Sequence, residues 1–173
     1  MLYLLPYWFW LEENRRCLGS VDTSIEEALI EELKNVFKDK IKEAKIQKSR
    51  RIFITVPKEH YKEVIEYFAK NKGVTHISTI TGVDVGKEIE VLPHLFGVGM
   101  EITIKTSVPK DNPELDSLAD IYQASIIYER EVHDLLGVKF KGNPNLTRIL
   151  LPDHWPEGVY PLRKEFKVER KSG

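Results

Sequence analysis

The sequence predicts an α+β fold, in which a mostly antiparallel sheet carries helices on one face and is followed by an extended, Pro-rich C-terminal tail. Three observations predict it: apolar residues at helical spacing in separate segments, three consecutive strand-like segments, and a cluster of prolines after residue 142. A chain of 173 residues is long enough for one domain with a hydrophobic core and an arm or tail. We divide it into an apolar N-terminal arm (1–20), an α+β domain (21–140) and a C-terminal tail (141–173).

The first helix is predicted over residues 24–40. A capping box, formed by Thr23 with Glu26 or by Ser24 with Glu27, precedes an apolar stripe. The stripe consists of Ile25, Leu29, Leu33, Val36 and Phe37. After a weakly alternating segment, residues 52–56 are predicted as a strand. A second helix follows, with an apolar face formed by Tyr61, Val64, Ile65 and Phe68.

Three strands are predicted next, in the segments VTHISTITGVDV, EIEVLPHLF and MEITIKTSV. Gly86 and Gly97 separate them at turn positions, so we expect an antiparallel meander. Pro93 has no N–H to donate to a neighbouring strand. We therefore expect the middle strand to be bulged at this point or to lie at the sheet edge.

The segment YEREVHDLLGVKF, residues 128–140, is predicted to contain an amphipathic helix that ends at Gly137. Its apolar face comprises Tyr128, Val132, Leu135 and Leu136, and its charged face comprises Arg130, Glu131 and Asp134. Arg130 with Asp134, and Glu129 with His133, have the i,i+4 spacing that permits an ion pair along a helix. The charged residues admit three interpretations: a catalytic cluster, a solvated helix face, or a docking surface for another protein.

The residues that follow favour docking. The segment GNPNLTRILLPDHWPEGVYPLRKEF places arginines and aromatic residues on a backbone stiffened by prolines, and such side chains dominate binding energies at interfaces. The alternative is a loop wrapped over its own sheet. The predicted partner interface comprises Glu129, Arg130, Glu131, Asp134, Arg148, Trp155, Arg163 and Lys164.

The composition narrows the functional classes. The formal net charge is -1, so no overall field attracts nucleic acid. Cys17 is the single cysteine, which excludes an internal disulfide and a cysteine-built metal site within this chain, and the five histidines lack the short paired spacings of a zinc site. The first residues, MLYLLPYWFW, are apolar, but this segment is only about half as long as the ~20 residues that span a bilayer. We expect neither a signal peptide nor a transmembrane segment.

The segments YEREVHDLLGVKFKGNPNLTRILL and YPLRKEF resemble the 30 kDa subunit family of complex I-type NADH dehydrogenases. That family carries the motif E-R-E-x-x-D-x-x-G-x-x-F-x-G-x-P-x-L-x-R-I-L, followed by P-L-R-K-D/E-F. The matching positions are Glu129, Arg130, Glu131, Asp134, Gly137, Phe140, Gly142, Pro144, Leu146, Arg148, Ile149, Leu150, Pro161, Leu162, Arg163, Lys164 and Phe166. Weaker similarity extends the resemblance to about residues 50–166.

The resemblance implies a structural subunit that is not itself catalytic and holds no cofactor. It would lie in the hydrophilic arm of a membrane-bound oxidoreductase, peripherally on the cytoplasmic face of the cell membrane. Its implied partners are a catalytic large subunit and an iron–sulfur small subunit, which would carry the nickel–iron and iron–sulfur centres. Asn143 replaces the usual histidine after the glycine, and the approach to PLRK is longer than in the respiratory version. These departures, with a short chain of thermophile-like composition, favour the ion-pumping nickel–iron hydrogenase branch over an NADH:quinone dehydrogenase.

Two alternatives come from other functional classes. Small α+β sheets often bind RNA through exposed aromatic residues, although this chain lacks a basic surplus and an RGF-type motif. A free-standing hydrolase would use His133 and Asp134. In the docking interpretation, charged residues of the helix and the tail would instead form ion pairs within the subunit or across to the large subunit. These residues are Glu129, Arg130, Glu131, Asp134, Arg148 and Arg163.

Overall fold

The computed structural model describes residues 24–168, so the predicted apolar arm (1–20) lies outside the described residues. Its helices are α1 (Ser24–Phe37), α2 (Tyr61–Asn71) and α3 (Ser125–Leu136), with a short 3-10 turn at Lys38–Lys40. Its strands are β1 (Glu43–Lys48), β2 (Arg51–Thr55), β3 (His76–Asp84), β4 (Glu88–Gly97), β5 (Met100–Pro109), β6 (Glu114–Asp116) and β7 (Lys139–Lys141). None of the helices in this part of the chain is long and apolar enough to cross a membrane.

Five strands form the main sheet in the order β1-β2-β5-β4-β3. The meander of β3, β4 and β5 is antiparallel, as the sequence predicts, and β1 pairs antiparallel with β2. The pairing of β2 with β5 is parallel. This pairing places β2 beside β5. The connection between the two strands contains α2, β3 and β4.

One face of the sheet is apolar and the helices pack on it. Isoleucines at alternate positions of β2 and β5 are fully buried: Ile52, Ile54, Ile102 and Ile104. Side chains of α1, α2 and α3 join them in one hydrophobic core. On the opposite face, Thr103 lies between Ile102 and Ile104, and His94 bonds to Thr103 and to Thr81. Phe53, between Ile52 and Ile54, is half-buried on that face. The α+β class and the placement of helices on one face are therefore confirmed.

The first helix begins and ends close to the predicted bounds, but its buried stripe differs. Leu29, Leu33 and Phe37 are buried as expected, whereas Ile25 is 62% and Val36 50% exposed. The Glu26 side chain, expected in a capping box, is buried and accepts a hydrogen bond from the N–H of Arg50 at 2.7 Å. Contact with the β1–β2 turn thus sets which side of the helix faces inward.

The edge position considered for Pro93 is wrong, because β4 lies between β3 and β5. Its pairing with β5 is interrupted at Leu92 and Pro93, between the pairs Val91↔Thr106 and His94↔Thr103. Pro93 has no N–H group, so it leaves no donor unpaired in this gap between β4 and β5. The register with β3 shifts nearby, between Ile77 and Thr79.

Gly82 lies where α3 crosses β3. A Cβ atom at this position would stand 2.4 Å from Leu136 Cδ1 and 3.1 Å from Val132 Cγ1. The absence of a side chain therefore allows the helix to approach the strand closely.

We expect Gly82→Ala to lower the free energy of unfolding by about 1–3 kcal/mol, because the added methyl group overpacks the contact between α3 and β3. Urea unfolding of the purified chain measures this change. Ser78→Ala, at an exposed position of the same strand, serves as the control and should change stability by less than about 0.5 kcal/mol. Equal stability of the two variants would contradict the packing argument.

Candidate functional site

The predicted interface residues meet where α3 contacts the tail, which we call the α3–tail junction (α3 with residues 137–168). The helix packs Val132 and Leu136 toward the sheet, but two of its carboxylates are also buried, Glu129 completely and Asp134 to 4% exposure. Glu131 points to solvent. The helix is therefore covered on two sides, by the sheet and by loop segments.

Glu129 connects α3 to the segments on either side of it in sequence. Its carboxylate accepts hydrogen bonds from the Ser117 hydroxyl (2.7 Å), the N–H of Leu118 (2.7 Å) and the Asn143 amide (2.8 Å). A buried carboxylate is stable only when its oxygens are saturated in this way. Glu129 thus ties the loop before α3 and the start of the tail to the helix.

Asp134 binds the main chain of the tail. Its Oδ2 atom accepts three N–H groups, from Ile149 (3.2 Å), Leu150 (2.8 Å) and Leu151 (2.8 Å). Burial alone would raise the pKa of this carboxyl, but the three N–H groups and the nearby Arg148 guanidinium lower the pKa below its ordinary value. The aspartate is thus held ionised as an acceptor for the turn at residues 149–151.

Arg130 and Arg148 donate to carbonyl oxygens of the tail. Arg130 donates to the carbonyl of Thr147 (3.0 Å), to the Thr147 hydroxyl (3.0 Å) and to the carbonyl of Arg148 (2.8 Å). Arg148 in turn donates to the carbonyl of Trp155 at 2.6 Å. The Trp155 indole N–H donates to the carbonyl of Val159 at 2.8 Å. These bonds hold consecutive turns of the tail to α3 and to one another.

The end of α3 is closed by the tail. Gly137 is left-handed with φ 79°, as expected, and the Tyr160 ring lies against it so closely that a Cβ would be 2.4 Å from Tyr160 Cζ. Arg163 stacks on the Tyr160 ring at 4.4 Å and donates to the carbonyl of Leu136 at 2.8 Å. The N–H of Leu162 bonds to the carbonyl of Leu135. The free carbonyls at the helix end thus find partners in the tail.

A further contact fixes the tail to the sheet. Asp84, at the end of β3, accepts hydrogen bonds from Lys110 Nζ (2.6 Å), the N–H of Lys164 (2.8 Å) and the N–H of Gly86 (2.7 Å). Lys110 also pairs with Glu165. The sequence patterns do not point to Asp84 or Lys110, because the residues they join are as many as 80 positions apart.

Of the ion pairs expected within the subunit, those of Glu129, Arg130, Asp134 and Arg148 are replaced by hydrogen bonds, mostly to the main chain. In residues 24–168, Glu129, Arg130, Asp134 and Arg148 form no ion pair within 4.0 Å, and Arg163 lies 3.9 Å from Glu165. The reason is that the irregular tail has peptide groups without a ladder partner, and buried peptide groups require one. On its inner side the tail therefore lies over its own domain, which is the alternative to docking considered for this segment.

His133 and Asp134 are not arranged as a catalytic pair. His133 Nδ1 bonds to the carbonyl of Val138 at 2.9 Å, and Asp134 binds the tail. A cavity of about 300 Å³ lies beside them, lined among others by Arg148, Glu157 and Tyr160. Within the described residues, no three His, Cys, Asp or Glu side chains are grouped so that they could hold a metal ion.

Comparisons with known proteins agree with the motif. Residues 54–172 match the family described as "Respiratory-chain NADH dehydrogenase, 30 Kd subunit". Membrane-bound hydrogenase subunit beta of Pyrococcus furiosus is 34% identical over 122 residues, covering 68% of this chain and 70% of the relative. A subunit of the F420H2 dehydrogenase of Methanosarcina mazei is 34% identical over 143 residues, covering 80% of this chain and 90% of the relative.

A solved structure shows the same fold. A chain of the membrane-bound sulfane sulfur reductase, an archaeal respiratory membrane complex, superimposes with a TM-score of 0.73 at 30% identity, over 83% of this chain and 86% of that chain. The family resemblance predicted from the ERE and PLRK motifs is therefore confirmed. None of these relatives favours the RNA-binding alternative.

We expect Asp134→Ala to lower the free energy of unfolding by about 2–4 kcal/mol, because three N–H groups of the tail lose a charged acceptor. Urea unfolding measures the stability, and limited proteolysis should show faster cleavage within residues 147–162. Glu131→Ala, an exposed carboxylate of the same helix, is the control and should change stability by less than about 0.5 kcal/mol. Slow cleavage in both variants would contradict this role of Asp134.

Asp84 predicts a pH dependence. Burial would raise its pKa, but Lys110 and the N–H groups of Lys164 and Gly86 outweigh burial and lower the pKa from 3.8 to about 2. Because the folded pKa is depressed, this contribution to stability is present above about pH 4 and is lost as the pH falls toward 2. The difference in stability between the wild type and Asp84→Asn should therefore shrink from pH 6 to pH 2 in thermal unfolding. A constant difference would contradict the assignment.

Proposed function

Since the chain belongs to the family of the respiratory-chain NADH dehydrogenase 30 kDa subunit, we propose that it is a non-catalytic structural subunit of a complex I-like membrane-bound oxidoreductase. The complex we favour is an ion-pumping nickel–iron hydrogenase. The similarity to the hydrogenase subunit beta of Pyrococcus furiosus supports this choice. The subunit would hold the catalytic subunits of the hydrophilic arm in place.

One observation carries the proposal: the tail is fixed to its own domain on the inner side and carries apolar side chains on the outer side. Leu150 is 56% and Leu162 55% exposed, and Ile149 is 38% exposed. Ile127, two helical turns before Asp134 on α3, is 54% exposed. Burial of these side chains against a partner would remove apolar area from water, which supports a docking surface on the outer side of the tail.

The hydrogen bonds of the α3–tail junction explain how an irregular segment can serve as an interface. Asp134 holds the main chain of Ile149 and Leu150, so their side chains are presented outward in one conformation. Preorganisation of this kind lowers the ordering cost of association. The predicted interface residues Glu129, Arg130, Asp134 and Arg148 would then act by shaping the surface, and the exposed leucines would contact the partner.

The partners we propose are a catalytic large subunit and an iron–sulfur small subunit, which would carry the nickel–iron and iron–sulfur centres. This chain would bind peripherally, on the cytoplasmic face of the membrane. The apolar arm MLYLLPYWFW would contact a partner or the membrane interface; the alternative is a strand added to the sheet of its own chain.

Purification from native membranes through an affinity tag on this chain tests the assignment. We expect a complex of several subunits that contains nickel by elemental analysis and oxidises hydrogen with an artificial electron acceptor. A complex that lacks nickel and oxidises NADH would support the NADH:quinone dehydrogenase alternative instead. A chain that purifies alone from the membrane extract would overturn the proposal.

The double variant Leu150→Glu with Leu162→Glu should detach the chain from the complex, because two charges would enter an apolar contact. We expect at least a tenfold lower yield of associated subunits per tagged chain, with thermal unfolding of the isolated chain unchanged. Val36→Glu is the control, since Val36 is 50% exposed on α1 and belongs to no proposed interface. Equal yields from both variants would show that the outer side of the tail is not the docking surface.

A further inference from the structure

A second surface with distinct chemistry lies at the end of the sheet away from the tail. There the β1–β2 turn, the start of β3 and the tip of the β4–β5 hairpin enclose an open cavity of about 660 Å³. We call it the basic pocket and define it by six of its lining residues: Lys48, Arg50, Arg51, His94, Phe96 and Glu101.

The pocket has an excess of positive charge. Its lining carries three cationic side chains against one carboxylate, Glu101, and that carboxylate is engaged by Arg51 at 2.6 Å. In the part of the chain that the structure describes, Lys48 and Arg50 form no ion pair within 4.0 Å. Both side chains are exposed and line the pocket, and neither pairs with a carboxylate of residues 24–168.

Arg50 is held in a backbone conformation that arginine rarely adopts. Its φ is +58°, in the left-handed region where glycine and asparagine are favoured. The Glu26 carboxylate accepts its N–H at 2.7 Å, and the N–H of Glu101 donates to its carbonyl at 2.9 Å. These two hydrogen bonds fix the backbone of Arg50 where the β1–β2 turn borders the pocket.

One wall of the pocket is apolar. Phe96 is 53% exposed, and Val98 at the adjacent hairpin tip is 51% exposed. An exposed aromatic side chain beside cations suits a segment that carries both carboxylates and apolar residues. A cavity of this size and openness also exceeds what a single carboxylate or phosphate group would fill.

We propose that the basic pocket binds an acidic segment of another subunit, with carboxylates on Lys48 and Arg50 and an apolar side chain on Phe96. The inference rests on the proposed function, because it requires the chain to be part of a complex. It adds a second contact at the opposite end of the sheet from the tail. Charge complementarity selects the occupant, since a basic or neutral segment would leave both cations unpaired.

The variant Arg50→Gly separates the role of the side chain from that of the backbone. Glycine relieves the positive φ, so the isolated chain should unfold at a higher temperature. The tagged complex should nevertheless retain about tenfold fewer of its partner subunits through a salt wash, because a charge-assisted contact is removed. Stabilisation without any loss of partners would overturn the proposal.

Lys38→Gly is the matched control. Lys38 is also an exposed cation with a positive φ, of 46°, but it follows α1 and does not line the pocket. It should raise the unfolding temperature in the same way and leave the complex intact. Equal loss of partners from both variants would assign the effect to general charge and would also overturn the proposal.

Carbodiimide cross-linking of the native complex, followed by mass spectrometry, identifies the occupant, because this reagent joins a lysine amine directly to a neighbouring carboxylate. We expect Lys48 to be joined to an aspartate or glutamate of another subunit. Cross-links from Lys48 only to acidic residues of its own chain, such as Glu12 or Glu13, would assign the pocket to the N-terminal arm and overturn the proposal.

Co-purification with the wild-type chain and with its variants distinguishes an error about the basic pocket from an error about the proposed function. If partner subunits co-purify and Lys48 and Arg50 have no effect on them, the basic pocket is not a contact while the function stands. If no subunits co-purify with the wild-type chain, the proposed function itself fails. Salt-dependent sedimentation of the wild-type chain, but not of Arg50→Gly, with anionic lipid vesicles would assign the pocket to a membrane surface and overturn the proposal.

Discussion

The need of an irregular chain segment for hydrogen-bond partners determines much of this structure. Residues 142–168 include no helix or strand, so their peptide groups cannot satisfy one another in a ladder. Helix α3 supplies the partners: Asp134 accepts three N–H groups, and Arg130 donates to two carbonyls. Arg130 and Asp134 therefore bind main-chain atoms of the tail, whereas Glu131 of the same helix faces solvent.

The contacts of the α3–tail junction give physical reasons for several residues of the family motif. Glu129 and Asp134 accept hydrogen bonds in positions where a shorter side chain would leave peptide groups unpaired. Gly137 has a different reason, because both its left-handed backbone and the Tyr160 ring against it exclude a side chain. The charged residues and the glycine of the motif thus determine the shape of the tail, and its apolar residues Ile149, Leu150 and Leu162 provide the outward surface.

The elements defined by local patterns could be predicted from the sequence. The meander, the positions of α1 and α2 and the end of α3 at Gly137 follow from spacing and turn residues, and the structure has them. Contacts between distant residues could not be predicted in this way. The burial of Glu129 depends on Ser117 and Leu118, and the role of Asp84 depends on Lys110 and Lys164, which no periodicity connects. Asn143 departs visibly from the motif, but only the fold shows its bond to Glu129.

The parallel pairing of β2 with β5 has a consequence for how the chain folds. The register joins Arg51 to Glu101 and Thr55 to Lys105, so each contact closes a loop of about 50 residues. The β1–β2 hairpin can form early during synthesis, but it gains its inner neighbour only after β5 has left the ribosome. Until β5 is available, the Ile52 and Ile54 side chains cannot be fully buried as they are in the complete fold. A nascent chain at this stage exposes apolar surface that a chaperone would have to protect.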